Sequence, residues 1–247
     1  MSRYFIRLSY NGTNYHGWQL QNNAHSVQAE LNDKLTALLG ESINVVGCGR
    51  TDAGVHAREF YAHFEVDKLG FSEKDLTYKL NRFLPEDIAI DKIFAVDKEM
   101  HARFSAVSRT YKYHIARRKS PFNSLFNYFF DGQLDVEAMQ LASTFLFQHE
   151  DFTSFSKLHT QTATNNCKII VAKWELVDNE LIFTITADRF LRNMVRAIVG
   201  TLLEIGKGKL KPQEMQKIIE AKDRSRAGFS VPAKGLFLEK IVYPNGF

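Results

Sequence analysis

The sequence predicts an α+β fold built from two halves of like order. Three observations carry this: strand and helix periodicities alternate along the chain, the order of the first half returns in the second, and charge divides unevenly between them. At 247 residues with 45% hydrophobic and 24% charged residues, the chain can bury a substantial core. Residues 3 to 10 alternate as a strand, and the polar run from Asn11 to Asn23 reads as a long loop. Ser26 caps a helix carrying Val27, Leu31, Leu35 and Leu38, with Gly40 as its stop. Ile43 to Gly47 is a short apolar strand. After the turn Gly49-Arg50-Thr51-Asp52-Ala53-Gly54, Phe60, Ala62, Phe64 and Val66 alternate with polar or mixed residues as a second strand. Ser72 and Asp75 form a capping pattern before Leu76, Leu80 and Phe83, Pro85 ends that helix, and Asp87 to Val96 is a further strand.

The second half is expected to repeat this order. Arg109 to Arg117 is a strand, Val136 to Phe147 a helix, and Ile169 to Val177 with Leu181 to Ala187 a hairpin around Asp178-Asn179. A stripe of Leu191, Met194, Val195, Ile198, Leu202 and Ile205 makes a helix, Pro212 opens another, and Leu236 to Val242 closes as a strand. Strand, helix, strand, strand, helix, strand is the split ferredoxin-like order. The expected organisation is therefore two ferredoxin-like, RRM-like halves related by pseudo-symmetry, their sheets flanking a central cleft. Residues 1–107 form the N-terminal domain with the Asp52 turn, and residues 108–247 a basic C-terminal domain.

Charge supports the division. Residues 1–107 carry 12 Lys and Arg against 14 Asp and Glu, whereas residues 108–247 carry 20 against 14. No acidic residue occurs between Met100 and Phe130, where Arg103, Arg109, Lys112, Arg117, Arg118 and Lys119 interleave with Phe104, Tyr111, Tyr113, Phe122 and Phe126. Cations attract phosphates and aromatic faces stack on unpaired bases, so this is a nucleic-acid footprint, although a charged strand with buried aromatics has the same pattern. The two cysteines, Cys48 and Cys167, form no CxxC pair. The eight histidines include neither an HExxH nor a deaminase zinc signature, and Gly206-Lys207-Gly208-Lys209 lacks phosphate-loop spacing. No apolar run reaches the roughly 20 residues that a membrane helix needs, and the N-terminus carries no export signal. The expectation is a cytoplasmic protein without metal or nucleotide cofactor.

Asp52 is the leading catalytic candidate, because it lies with Arg50 and His56 on a turn between two strands, although Asp before Ala-Gly is also ordinary turn chemistry. A nearby arginine would keep such a carboxylate ionised, and Arg50 and Arg196 are the candidates. Arg196 stands on a mostly apolar helix, where its stem could also run out to solvent. Tyr111 and Tyr113 share a strand face within the basic segment, suited to base stacking or to core packing.

The pattern resembles the tRNA pseudouridine synthase A family along nearly the whole chain. Tyr10-Asn11-Gly12 with Tyr15-His16-Gly17-Trp18-Gln19-Leu20-Gln21 is similar to the family's YDGxxYxGWQxQ opening, and Gly49-Arg50-Thr51-Asp52-Ala53-Gly54-Val55-His56 matches its GRTDAGVH signature. Phe104-Ser105-Ala106, Arg109 to Tyr113, Asp151 to Phe155, Phe190 to Gly200 and Pro232 to Leu238 continue the match, with Asn11 and Cys48 as departures. The resemblance implies a homodimeric, cofactor-independent isomerase converting uridine to pseudouridine in the tRNA anticodon stem-loop, at positions 38, 39 and 40. It further implies that Asp52 is the essential carboxylate, Tyr111 stacks on the target base, Arg196 partners Asp52, and Arg50 holds the flipped nucleotide. Arg103, Arg109, Lys112, Gln19 and Gln21 are the expected RNA contacts. Two rivals are an RRM-like binder, for which no RNP1 string is present, and a nucleoside hydrolase, which needs a second acting carboxylate.

Overall fold

The computed structural model describes residues 1–157 and 164–244. The chain is a mixed α+β protein that divides into two compact units, Met1–Val107 joined by the closing segment from Leu238, and Ser108–Phe237.

In the first unit the order is β1 (Ser2–Tyr10), α1 (Val27–Leu39), β2 (Val46–Gly47), β3 (His56–Val66), α2 (Glu73–Phe83) and β4 (Ile88–Val96). β1 lies between β3 and β4, antiparallel to both, and β2 pairs with β3 at Val46↔His63 and Gly47↔Ala62. The helices start where their caps direct. Ser26 Oγ accepts from the Ala29 amide, and Gly40 stops α1 at φ +73°. Ser72 Oγ accepts from the Asp75 amide and donates to its carboxylate. The apolar stripes of α1 and α2 bury Val27, Leu31 and Leu35, then Leu76 and Leu80, while Ile6, Leu8, Phe60 and Phe64 are buried on the strands.

The expected strand from Ile43 is reduced to its last two residues. The amides of Ile43 and Val45 are taken by Thr36 Oγ1 and Asn32 Oδ1 of α1, so no ladder forms there although both side chains are buried.

In the second unit the order is β5 (Ser108–Ala116), β6 (Tyr128–Phe129), α3 (Val136–Thr144), β7 (Ile169–Val177), β8 (Glu180–Ala187), α4 (Met194–Gly206) and α5 (Glu214–Ala221). β8 lies between β5 and β7, antiparallel to both. The hairpin turn has Asp178 and Asn179 at φ +47° and +67°, the pair of positive values that a two-residue type I′ turn requires. α4 begins at Met194 and not at Leu191, because Asn193 adopts φ +68° and interrupts the helical path. Leu191 is buried nonetheless. α5 starts two residues past Pro212, which lies in the preceding turn.

The last strand is β9 (Leu236–Val242), in the segment that the sequence assigns to the second half. From Leu238 onward the chain clusters with the first unit. The Ile241 amide donates to Glu59 Oε1, the Val107 amide donates to the Val242 carbonyl, and the buried Tyr243 donates its hydroxyl to the Ala102 carbonyl. No helix among the described residues is long and apolar enough to cross a membrane.

Tyr243 helps enclose a second aromatic layer against Phe5 and Tyr61, and His63 is buried in that layer. His63 Nδ1 accepts the Ala102 amide, a role open only to the unprotonated nitrogen. Burial, with the neighbouring His101 and Arg3, lowers its pKa to about 4. Between about pH 4 and 6.5 the unfolded chain therefore binds a proton that the folded chain refuses, so stability rises with pH across this window and is lost as pH falls through it. Replacing His63 with Gln, which keeps an acceptor, is expected to flatten the decline by about 3 kcal/mol. Denaturant unfolding of both proteins from pH 4 to 7 measures the two slopes.

Candidate active site

Two segments of the first unit, the loop after β1 and the turn between β2 and β3, are built against each other. The turn Asp52-Ala53-Gly54-Val55 is closed by the Val55 amide donating to the Asp52 carbonyl, with Gly54 at φ +76° in its third place. The loop holds this turn from one end to the other. The Tyr10 hydroxyl meets Thr51 Oγ1 at 2.9 Å, the Trp18 amide donates to the Thr51 carbonyl, and the Gly54 amide donates to the Tyr15 carbonyl at 3.2 Å. The Gly12 amide donates to Nδ1 of the buried His56 at 3.0 Å, which makes His56 the acceptor and sets its tautomer.

This approach leaves no room for side chains. A Cβ on Gly12 would stand 2.0 Å from the Val55 carbonyl oxygen, and one on Gly17 would stand 2.2 Å from that of Thr51. Beneath them Trp18 stacks on Phe60 at 4.1 Å with Tyr10 packed beside both rings, and Gly47 lies so close to the indole that only hydrogen fits.

Gln28, in the first turn of α1, ties the arrangement to the helix. Its Oε1 accepts from Gln19 Nε2 and the Leu20 amide, and its Nε2 donates to the Val45 carbonyl at 2.7 Å, just before β2. Asp87 secures the other side by accepting from the Tyr15 hydroxyl and Asn14 Nδ2. Burial, followed by the bonded Asp87 carboxylate, raises the Tyr15 phenol well above its ordinary range. Asn11 accepts from both the amide and hydroxyl of Thr13, so an amide oxygen suffices at this position. Sequence reading missed Gln28 and Asp87. A buried glutamine within the apolar stripe of α1 was the available signal for the first, and nothing local marked the second.

Asp52 is half-buried and Arg50 exposed, both on this turn. Gln19 is engaged by Gln28, and Gln21 donates to the His16 carbonyl, so both amides serve the loop. Arg103 belongs to the same unit and lies exposed, with its guanidinium over the Phe104 ring. The remaining candidates belong to the second unit. Tyr111 is half-buried on β5 with Phe190 edge-on at 5.1 Å, whereas Tyr113 is fully buried and donates its hydroxyl to the Pro232 carbonyl. Arg196 is half-buried: its Nε donates to the Val231 carbonyl at 2.8 Å, and the Val231 amide donates back to the Arg196 carbonyl. Arg109 donates to the Asp188 carbonyl, and Lys112 is half-buried opposite Thr184.

The other sequence leads have structural roles. Cys48 is buried at the end of β2, and burial pushes the Cys167 thiol up to about 12. Lys207 pairs with Glu204 between the rings of Phe130 and Phe229.

The fold and this turn define an α+β protein that presents one half-buried carboxylate on a rigidly braced loop. A family model described as tRNA pseudouridine synthase matches residues 7–105 and 148–244. The chain is 53% identical over 245 residues to the tRNA pseudouridine synthase A of Parabacteroides distasonis, covering 99% of this chain and 97% of that protein. It is 51% identical over 248 residues to the protein of that name from Bacteroides thetaiotaomicron, covering 99% and 92%, and 40% identical over 240 residues to that of Clostridium acetobutylicum, covering 96% and 98%. The chain belongs to the tRNA pseudouridine synthase family.

The bracing can be tested by comparing two glycines with positive φ. Gly17 (φ +86°) is crowded by backbone, whereas Gly40 (φ +73°) has nothing within 4 Å of its missing Cβ. Gly40→Ala is expected to cost about 1 kcal/mol, the conformational strain alone. Gly17→Ala should cost about 1 to 3 kcal/mol more, because backbone must shift. Denaturant midpoints of the two variants decide this.

Proposed function

We propose that this enzyme isomerises uridine to pseudouridine in tRNA, and that Asp52 performs the chemistry on the target nucleotide. The observation that carries the reading is the braced turn: a carboxylate whose backbone is held from Tyr10, Tyr15 and Trp18 has the fixed aim that attack at a single carbon demands. The proposed substrate region is the anticodon stem-loop, at positions 38, 39 and 40.

The reaction cleaves the bond from N1 to C1′, rotates the uracil, and rejoins it through C5. C5 gives up a proton and N1 gains one, so atoms balance without redox change or phosphate energy, and the reading requires no cofactor. Asp52 acts in one of two ways. It adds to C1′ as the N1 bond breaks and leaves as C5 attacks, or it removes the C2′ proton to give a glycal and later returns it. Either route requires the ionised carboxylate, and pairing with Arg196 would maintain it. Tyr111 is proposed to stack on the base and to offer its phenol for the C5 proton, and Arg50 to hold the extruded nucleotide. Arg103, Arg109 and Lys112 are proposed phosphate contacts.

Extruding the base costs a few kcal/mol, and one aromatic stack returns about 1 to 3. Phosphate contacts must supply the remainder. We read the two units as ferredoxin-like halves, the first carrying the Asp52 turn and the second the excess positive charge. The strand orders β4-β1-β3 and β5-β8-β7, each with a helix between its first two strands, support this reading. The enzyme is proposed to act as a homodimer in the cytoplasm.

Asp52→Asn, which removes the charge but keeps the shape, should bind tRNA with near wild-type affinity while pseudouridine formation falls by at least about 10²- to 10⁴-fold. Mapping pseudouridine along the anticodon arm of an unmodified transcript tests this, and normal turnover by the variant refutes the assignment. Wild-type tRNA affinity should fall at least about tenfold between 50 and 200 mM salt. A salt-independent dissociation constant would contradict the phosphate contacts.

A further inference from the structure

We infer that the loop from Arg118 to Phe126 is an RNA-contact surface apart from the isomerised nucleotide, with Arg118 and Lys119 on the phosphate backbone and Phe122 stacked on another base. This rests on the reading of tRNA as substrate and deepens it. The starting point is how differently the cations of the basic segment are employed. Arg109 gives a guanidinium donor to the Asp188 carbonyl, and Arg117 donates to the carbonyls of Phe130 and Gly132. Arg118 and Lys119 are exposed and pair with no acid among the described residues.

Three residues on, Phe122 is 89% exposed, more than any other large hydrophobic side chain described. Leu125 and Phe126 are also exposed. A phenyl ring gains nothing in water, so a ring this bare beside two unpaired cations calls for a partner that is both anionic and flat-faced.

The loop is not loose. Arg117 ties its base to the carbonyls beyond β6, Lys234 Nζ donates to the Ser124 carbonyl at 2.8 Å, and Phe126 packs against Phe237. The buried Asn127 donates to Glu180 Oε1, whose other oxygen meets His114 Nδ1 at 2.9 Å. The tip is therefore held out on a fixed base, which lowers the ordering cost of binding. A second copy of this chain fits less well. A two-fold contact would bring each copy's own cations together.

The test is the binding of an unmodified tRNA transcript to the wild type, Phe122→Ala and Arg118→Ala/Lys119→Ala across 50 to 300 mM salt, with sedimentation and pseudouridine mapping in parallel. Phe122→Ala should weaken binding about 5- to 100-fold, as loss of one stacked base does. The double variant should reduce the slope of log affinity against log salt by about 2. Unchanged affinity in the first and unchanged slope in the second overturn the inference, and so does a change of oligomeric state in Phe122→Ala. Wild-type protein that makes no pseudouridine, while the variants lose affinity as described, would sink the isomerase reading and leave this contact standing.

Discussion

The close approach of the loop after β1 to the turn before β3 is the constraint on which the position of Asp52 depends. Two backbones meet at Gly12 and Gly17 with no space for a methyl group, and the aromatic floor of Trp18, Phe60 and Tyr10 sets their height. Each hydrogen bond across this contact contributes only about 1 kcal/mol. Their effect is geometric, because a segment bonded at Thr51, Gly54 and His56 cannot pivot about any one of them. A flexible loop could carry the same carboxylate without fixing its orientation.

Two buried histidines follow one logic. His56 accepts the Gly12 amide and His63 accepts the Ala102 amide, each imidazole meeting a backbone donor that strand pairing leaves unused. A buried amide must find an acceptor, and a neutral imidazole supplies one without introducing charge into an apolar layer. His63 places this device beneath the closing segment, near Tyr243, so the chain's last strand and residues 97–107 share one enclosed layer in the first unit.

The cations of the second unit sort by what they bind. Arg109, Arg117, Arg196 and Arg224 direct guanidinium donors at backbone carbonyls of their own unit. The planar, multiple-donor guanidinium suits that role, which a lysine cannot fill in the same way. A surplus of positive residues therefore overstates the surface open to a polyanion. Within the basic segment, Arg118 and Lys119 are exposed and pair with no acid among the described residues, close in sequence to Phe122, the most exposed large hydrophobic side chain described. At Arg196 the backbone contact also stiffens the first turn of α4, which has no side-chain cap at Asn193.

The sequence by itself determined the α+β class, the hairpin at Asp178-Asn179, the caps at Ser26 and Ser72, and the turn carrying Asp52. These are short-range matters: a capping oxygen three residues before the amide it serves, an apolar stripe at helical spacing, two residues able to take positive φ. Only the tertiary structure decided that Ile43 and Val45 lose their ladder to α1 side chains, that Asn193 delays α4, and that β9 belongs largely with the first unit. It also revealed Gln28 and Asp87 as supports of the loop, and separated arginines bound to carbonyls from cations left in water. The reason is physical: each outcome depends on which donor finds which acceptor across tens of residues. Local periodicity carries no record of that competition, which is settled only when the core closes.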